Sequence, residues 1–323
     1  MKKVLKLVAS LVFVLVLLAA GGYAWARFRT AAILGRHLDV HTVDFPVPFP
    51  LDSAEIAADS LTPEQASALA LERAVERGRH LVEARYTCME CHGKDFGGGV
   101  MVDDAMIGRL LGPNITAGTG GKTAAYTPSD WDHIVRHGLH PDRTPAAMPS
   151  QDFKGMSDRE LSDVVALVRS MPPVDAAVPP VALGPLGTVL VATGGMPLAA
   201  DLIGVHDGPH PVFPPAEEAS IEYGQHVAGV CMGCHRADMT GGKIPGGDPS
   251  WPAAANLTPL PEGLGSWTYG QFLTAMTEGR RPDGAALRTP MAEVTGYTRN
   301  MSDTEREALW AYIRSLPPTP TGG

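Results

Sequence analysis

The chain opens on an apolar run and then changes character. From Leu7 to Ala26 (LVASLVFVLVLLAAGGYAWA) no charge interrupts it, and Lys2, Lys3 and Lys6 stand in front. About 20 apolar residues can cross a bilayer as one helix, and the lysines hold the N-terminus in the cytoplasm. Ala24-Trp25-Ala26 has the small-x-small form of a cleavage site, while Tyr23 and Trp25 suit the far membrane interface. Both an uncleaved anchor and a removed signal therefore fit residues 1–28. In either case the rest of the chain is expected outside the cytoplasmic membrane. Residues 29–61 are weakly patterned and punctuated by proline (Phe45-Pro46-Val47-Pro48-Phe49-Pro50), which predicts a stalk or an arm lying on a domain.

Helix signals follow. Thr62-Pro63-Glu64-Gln65 joins a capping box to a proline at the first helical position, and opens a helix running towards Tyr86. Thr127-Pro128 opens a second that ends near Gly138. Ser157 with Glu160 opens a third, which stops at Met171-Pro172-Pro173. Residues 174–217, rich in proline and glycine, predict a linker region. Its one apolar piece, Leu186 to Ala192, is too short to span a membrane and is expected to pack on a domain.

After the linker the pattern repeats. Gly78-Arg79-His80 returns as Gly224-Gln225-His226, and Asn114-Ile115-Thr116 as Asn256-Leu257-Thr258. Arg143-Thr144-Pro145 returns as Arg288-Thr289-Pro290, and Met156-Ser157-Asp158 as Met301-Ser302-Asp303. The offset stays between 141 and 146. Residues 62–173 and 218–319 thus read as two copies of one domain, helical with long loops and almost no strand pattern.

A length of 323 residues suits about two cores. Aromatic residues make up only 6% while Gly (36) and Pro (29) are plentiful, so another group has room to fill those cores. A net charge of −9 argues against nucleic acid as a partner and mildly favours basic ones.

All four cysteines fall in two pentapeptides, Cys88-Met89-Glu90-Cys91-His92 and Cys231-Met232-Gly233-Cys234-His235. C-x-x-C-H is the attachment signature of c-type haem: the thiols add to two vinyl groups and the histidine becomes the proximal iron ligand. A shared zinc site sits badly with the distance between the pairs, a thioredoxin-like pair lacks its βαβ setting, and disulfides leave His92 and His235 unexplained. Two covalently attached haem c groups are therefore expected. For the sixth ligand the repeat supplies a rule. His92 and Met148 are 56 residues apart, and so are His235 and Met291. Both methionines follow an Arg-Thr-Pro and are expected in loops. The rivals Met156 and Met301 precede N-cap serines, where they can act as hydrophobic staples, although the staple partner Leu161 becomes Arg306 in the second copy. Tyr126, Arg143, Trp267 and Arg288 are repeat-matched candidates for haem propionates, and ordinary packing or surface charge explains them equally well. His80 and His226 have no ligand role left and read as structural.

These residues resemble the class I c-type cytochromes, in the diheme, membrane-anchored form of bacterial respiratory chains. The second copy carries the closer match: Cys-x-x-Cys-His, then Asn256-Leu257-Thr258-Pro259, Gly263-Leu264-Gly265 with Trp267-Thr268, Arg281-Pro282-Asp283-Gly284, Met291, and a closing Arg314-Ser315-Leu316-Pro317-Pro318. It also looks like the cytochrome subunits that serve membrane-bound alcohol and aldehyde dehydrogenases, which usually carry three haems. The first copy departs, with Tyr126 where the family prefers tryptophan and Ala117-Gly118-Thr119-Gly120-Gly121 in place of a proline-led loop.

The resemblance implies an all-α fold of two tandem cytochrome c domains behind an N-terminal transmembrane helix. In each domain an N-terminal helix, an attachment loop, a methionine loop and a C-terminal helix packed on the first would enclose one haem. Irons closed by His and Met favour electron transfer over catalysis. The expected partners are redox proteins at the periplasmic face, such as a membrane-bound oxidoreductase or oxidase. The competing enzyme classes, a diheme peroxidase or a thiosulfate-oxidising cytochrome, need an iron that is open or otherwise ligated. The matched methionines oppose the first, and no spare cysteine supports the second.

Overall fold

In the computed structural model, which describes residues 1–245, 247–248 and 250–322, the N-terminal run is one long helix, α1 (Lys2–Leu34). It runs six residues past the end of the expected anchor, and its apolar stretch is exposed as far as Trp25. The proline-rich segment then lies as an arm on the first domain: Phe45 is buried there, and Ser162 Oγ donates to the Pro46 carbonyl at 2.7 Å. A short helix α2 (Ser53–Ala58) follows. α3 (Pro63–His80) starts at the Thr62–Gln65 capping box and continues through a π-helical turn, Leu81–Arg85, before α4 (Cys88–His92). Next comes a hairpin, β1 (Gly99–Asp104) and β2 (Gly108–Gly112), then α5 (Pro128–His137) and α6 (Asp158–Ser170). The sequence shows almost no strand pattern here because β1 and β2 are short and lack clean alternation. Asp104 makes the hairpin by accepting from the backbone N–H groups of Met106 and Ile107.

The stretch 174–217 is more than a connector. It adds β3 (Ala182–Leu183) to the hairpin as a third antiparallel strand, then forms α7 (Pro185–Thr193) and α8 (Ala199–Ile203). The apolar piece packs on the first domain as expected, against its β1–β2 hairpin, and on α1 as well. Thr30 Oγ1 donates to the Thr188 carbonyl and Arg29 Nε to the Ala192 carbonyl, both at 2.8 Å. The second copy comprises α9 (Ile221–Val227), α10 (Met232–His235), α11 (Tyr269–Glu278), α12 (Met291–Thr298) and α13 (Asp303–Ser315).

Within each copy the first and last helices cross closely, α3 on α6 and α9 on α13. The repeated Gly78 and Gly224 make the crossing possible, because a Cβ at either position would overlap a backbone carbonyl, of Asp163 and of Ala308 respectively. The repeated Asn-x-Thr is a clasp. Asn114 Oδ1 accepts from Thr116, and its Nδ2 donates to the carbonyls of Val174 and Ala176 beyond α6. Asn256 does the same with Thr258 and the Thr319 carbonyl beyond α13. Each clasp thereby ties the loop after an attachment motif to the end of its domain.

The two domains dock through reciprocal contacts. His80 of α3 pairs with Glu305 of α13 at 2.9 Å, and His226 of α9 with Glu160 of α6 at 2.8 Å. Both glutamates also close the capping boxes of their own helices. Arg85 lies between them, 3.0 Å from Glu160 and 4.0 Å from Glu305. The first copy has three more residues than the second between its histidine and its C-x-x-C-H, and Arg85 sits in the π-helical turn that takes up this extra length.

Candidate haem sites

Each attachment motif folds as one helical turn whose histidine is held from behind. His92 Nδ1 lies 2.9 Å from the Pro113 carbonyl, and His235 Nδ1 lies 2.8 Å from the Ala255 carbonyl. A carbonyl only accepts, so both rings carry their proton on Nδ1 and keep a lone pair on Nε2 for iron. Burial lowers the pKa of both rings against the opposing pull of the carbonyls, which favours the neutral, ligating form. The same burial pushes the Cys88 and Cys231 thiols up to about 12 and raises Cys91 and Cys234. Such surroundings disfavour thiolate, the form that zinc binding or disulfide exchange requires, and accept a neutral thioether. Behind the first motif, β2 lies flush against the Cys91 carbonyl, and a Cβ on Gly112 would overlap that oxygen.

A cavity of about 1180 Å³ opens beside the first motif, lined by Cys88, Cys91 and His92 and by Met148 from the loop before Ser150. Ordinary small-molecule pockets hold roughly 300–1000 Å³, so the space suits a macrocycle. Trp131, 3% exposed, also lines it, and its indole N–H has no hydrogen-bond partner among the described residues. A large apolar cavity, a preset histidine lone pair, protonated thiols and an orphaned donor together fit a covalently attached haem.

The structure places the remaining candidates unevenly. Met148 and Met156 both line the cavity, Met156 at 2% exposure with its carbonyl held by Arg136 Nη1 at 3.1 Å. Tyr126 lines it too, and burial raises its pKa. Arg143 is not among the lining residues: it is half exposed, at φ 67, and lies 3.9 Å from Asp39. The cations that do line the cavity are Lys122 and Arg27. Arg27 belongs to α1, and nothing in its sequence surroundings linked it to a haem site 60 residues away. In the second copy Met291 and Trp267 pack with Cys231 on the second core, while Arg288 is exposed. Met291 is the first residue of α12 rather than a loop residue. Met301, 3% exposed, has its carbonyl held by Arg306, the residue that replaces the expected staple partner.

The two sites also touch. Asp152, in the 3-10 turn just after Met148, packs against Gly233 of the second motif. Burial there raises its carboxyl to about 6. In return Tyr297 of α12 donates its hydroxyl to Glu90 of the first motif at 2.6 Å. The segment that follows the matched methionine of each domain thus meets the attachment motif of the other.

Comparison with known proteins agrees with a cytochrome-type domain in each copy. Residues 73–168 match the family model of cytochrome c oxidase, cbb3-type, subunit III, and residues 221–317 match that of cytochrome c. A diheme cytochrome c-type protein of Cereibacter sphaeroides is 26% identical over 225 residues, covering 65% of this chain and 73% of that protein. The cytochrome c subunit of a quinone-dependent alcohol dehydrogenase of Gluconacetobacter polyoxogenes is 27% identical over 80% of this chain. A fructose dehydrogenase cytochrome subunit of Gluconobacter japonicus is 26% identical over 75%. The chain spans only 58% and 52% of the length of these two subunits. With a cytochrome-type family model on each copy of the repeat and a diheme cytochrome among its relatives, the chain is a diheme c-type cytochrome with two haem c groups, resembling the cytochrome subunits of dehydrogenases.

Proposed function

We propose that this cytochrome relays electrons between redox proteins at the outer face of the cytoplasmic membrane, held there by α1, and is not itself an enzyme. The observation that carries the reading is the reciprocal packing of the two sites, Asp152 on Gly233 and Tyr297 on Glu90. A relay needs its two centres close and fixed, and this contact brings the two attachment motifs to one interface. Haem c supplies reversible one-electron chemistry, at the raised potential that Met/His ligation gives.

The chain's own residues do the rest. His92 and His235 present Nε2, with the Pro113 and Ala255 carbonyls fixing their tautomers. Met148 and Met291 would supply the sixth ligands, and Met156 and Met301 would be wall residues, anchored by their carbonyls to Arg136 and Arg306. Tyr126, Lys122 and Arg27 in the first site, and Trp267 in the second, would hold the propionates. With a methionine as sixth ligand, neither iron would keep an open position for a substrate to occupy. The dehydrogenase relatives favour a membrane-bound dehydrogenase as electron donor.

The test is optical. Met148→Ala and Met291→Ala are each expected to remove about half of the far-red methionine–iron band of the oxidised protein, whereas Met156→Ala and Met301→Ala keep it. Survival of the band in the first pair overturns the ligand assignment. Rapid turnover of peroxide or thiosulfate by the purified protein alone overturns the relay.

A further inference from the structure

Three histidines and a carboxylate converge on the far side of α5 from the first haem cavity. Their ligand atoms, on His41, Asp132, His137 and His210, all lie within 4.8 Å of one another. His41 comes from the N-terminal arm, Asp132 and His137 from successive turns of α5, and His210 from the segment after α8. Neither C-x-x-C-H motif takes part.

Hydrogen bonding outside the cluster sets the tautomers inside it. His206 donates through Nε2 to the Ala200 carbonyl at 3.0 Å, so its Nδ1 is an acceptor. His137 must then donate to it through Nδ1, at 3.1 Å. His41 likewise donates through Nδ1, to the His206 carbonyl at 2.9 Å. Both rings therefore turn a bare Nε2 lone pair inwards. His137 Nε2 faces Asp132 Oδ2 at 3.5 Å and His41 Nε2 faces it at 3.9 Å. His210 Nε2 stands 3.2 Å from His137 Nε2 and 3.7 Å from Asp132 Oδ1.

Lone pairs aimed at lone pairs repel unless a cation sits between them. Asp132 is fully buried, and its Oδ2 and the His41 Nε2 lack hydrogen-bond partners among the described residues. A proton shared between His210 and His137 satisfies that contact but leaves His41 Nε2 and Asp132 Oδ2 facing each other without one. We infer that His41, Asp132, His137 and His210 form a binding site for one divalent transition-metal ion, best matched by Zn²⁺.

The geometry and charge agree. A tetrahedral zinc with bonds of about 2.0–2.1 Å separates its ligand atoms by about 3.3 Å. The separations of 3.2–3.9 Å between neighbouring ligand atoms are close to that, and the widest pair, within 4.8 Å, closes by at most about 1.5 Å. Three imidazoles and one carboxylate without thiolate suit zinc and neighbouring late transition metals rather than Ca²⁺ or Mg²⁺. Arg136 already neutralises Asp132 Oδ1 at 2.7 Å and Asp158 at 2.8 Å, so those three side chains carry one net negative charge towards the ion. With four protein ligands and little exposure the site is closed, as structural zinc sites are. It would staple the arm that follows α1, the helix bearing Trp131, and the segment leaving α8 into one unit.

The experiment uses the full-length, haem-loaded protein in detergent, without a polyhistidine tag, stripped with chelator and titrated with Zn²⁺. One equivalent of zinc per chain is expected beyond the two haem irons, with nitrogen and oxygen ligands near 2.0 Å by X-ray absorption. His41→Gln and His210→Gln, both outside the haem sites, should keep the haem spectrum and lose that equivalent. His206→Gln should weaken binding by about 10–100-fold through its hold on His137. Wild-type uptake no greater than that of His210→Gln, or equal displacement of zinc by Ca²⁺, overturns the inference.

Discussion

At Arg85 a full positive charge is held with its side chain only 3% exposed, between the carboxylates of Glu160 and Glu305 and against the ring of Tyr86. Each glutamate also takes a hydrogen bond from a histidine of the opposite domain. Removing the arginine leaves two buried carboxylates sharing two histidines, and breaking such a buried pair costs about 3–5 kcal/mol. Arg85→Met is therefore expected to lower the unfolding free energy by that amount in a denaturant titration followed through haem absorbance. Adding Glu160→Gln and Glu305→Gln should recover most of it, because neutral partners need no counter-charge. A loss below about 1 kcal/mol would mean that solvent reaches the cluster. Residues of this kind are hard to read in sequence. Cys88, Cys91 and His92 are legible because covalent chemistry fixes their spacing. Arg85 and Arg27 owe their roles to elements far along the chain.

Helix starts were legible for the same local reason. Thr62, Thr127 and Ser157 each cap their own helix within four residues, and the sequence shows cap and partner together. The hairpin β1–β2 and the helices of 174–217 were not, since β3 and α7 gain their order by lying on β2 and α1. The helix crossings stand between these cases, visible as a repeated glycine whose purpose only the fold shows. Gly78→Ala and Gly224→Ala should each force the helices apart and cost about 1–3 kcal/mol, read as a lowered thermal midpoint. Gly296→Ala, in α12 with open space at its Cβ, should be neutral or stabilise by about 0.4–1 kcal/mol. Equal midpoints for all three variants would remove the close crossing from the account.

The duplication could be read from the sequence, but the way the copies face each other could not, because each repeated residue finds its partner in the other copy. His80 meets Glu305 and His226 meets Glu160, so one ancestral histidine and one capping glutamate serve the interface twice. The arrangement makes docking pH-dependent. Hydrogen bonding to Glu305 raises the pKa of His80 above its ordinary 6.5, despite burial. Its contribution is thus fully present below about 6.5 and is lost as pH rises through the higher folded value. Burial alone would raise Glu160, but His226 and Arg85 outweigh it and hold the carboxyl at about 2. That contribution is present above the ordinary glutamate value of 4.5 and is lost only as pH falls towards 2. Docking should therefore be firmest between about pH 4.5 and 6.5 and loosen on the alkaline side as His80 loses its proton. Thermal midpoints of the haem-loaded protein between pH 5.5 and 8.5 should decline with a slope that His80→Gln reduces. An unchanged slope in His80→Gln would assign the alkaline loss to another group and leave the His80–Glu305 contact a neutral hydrogen bond.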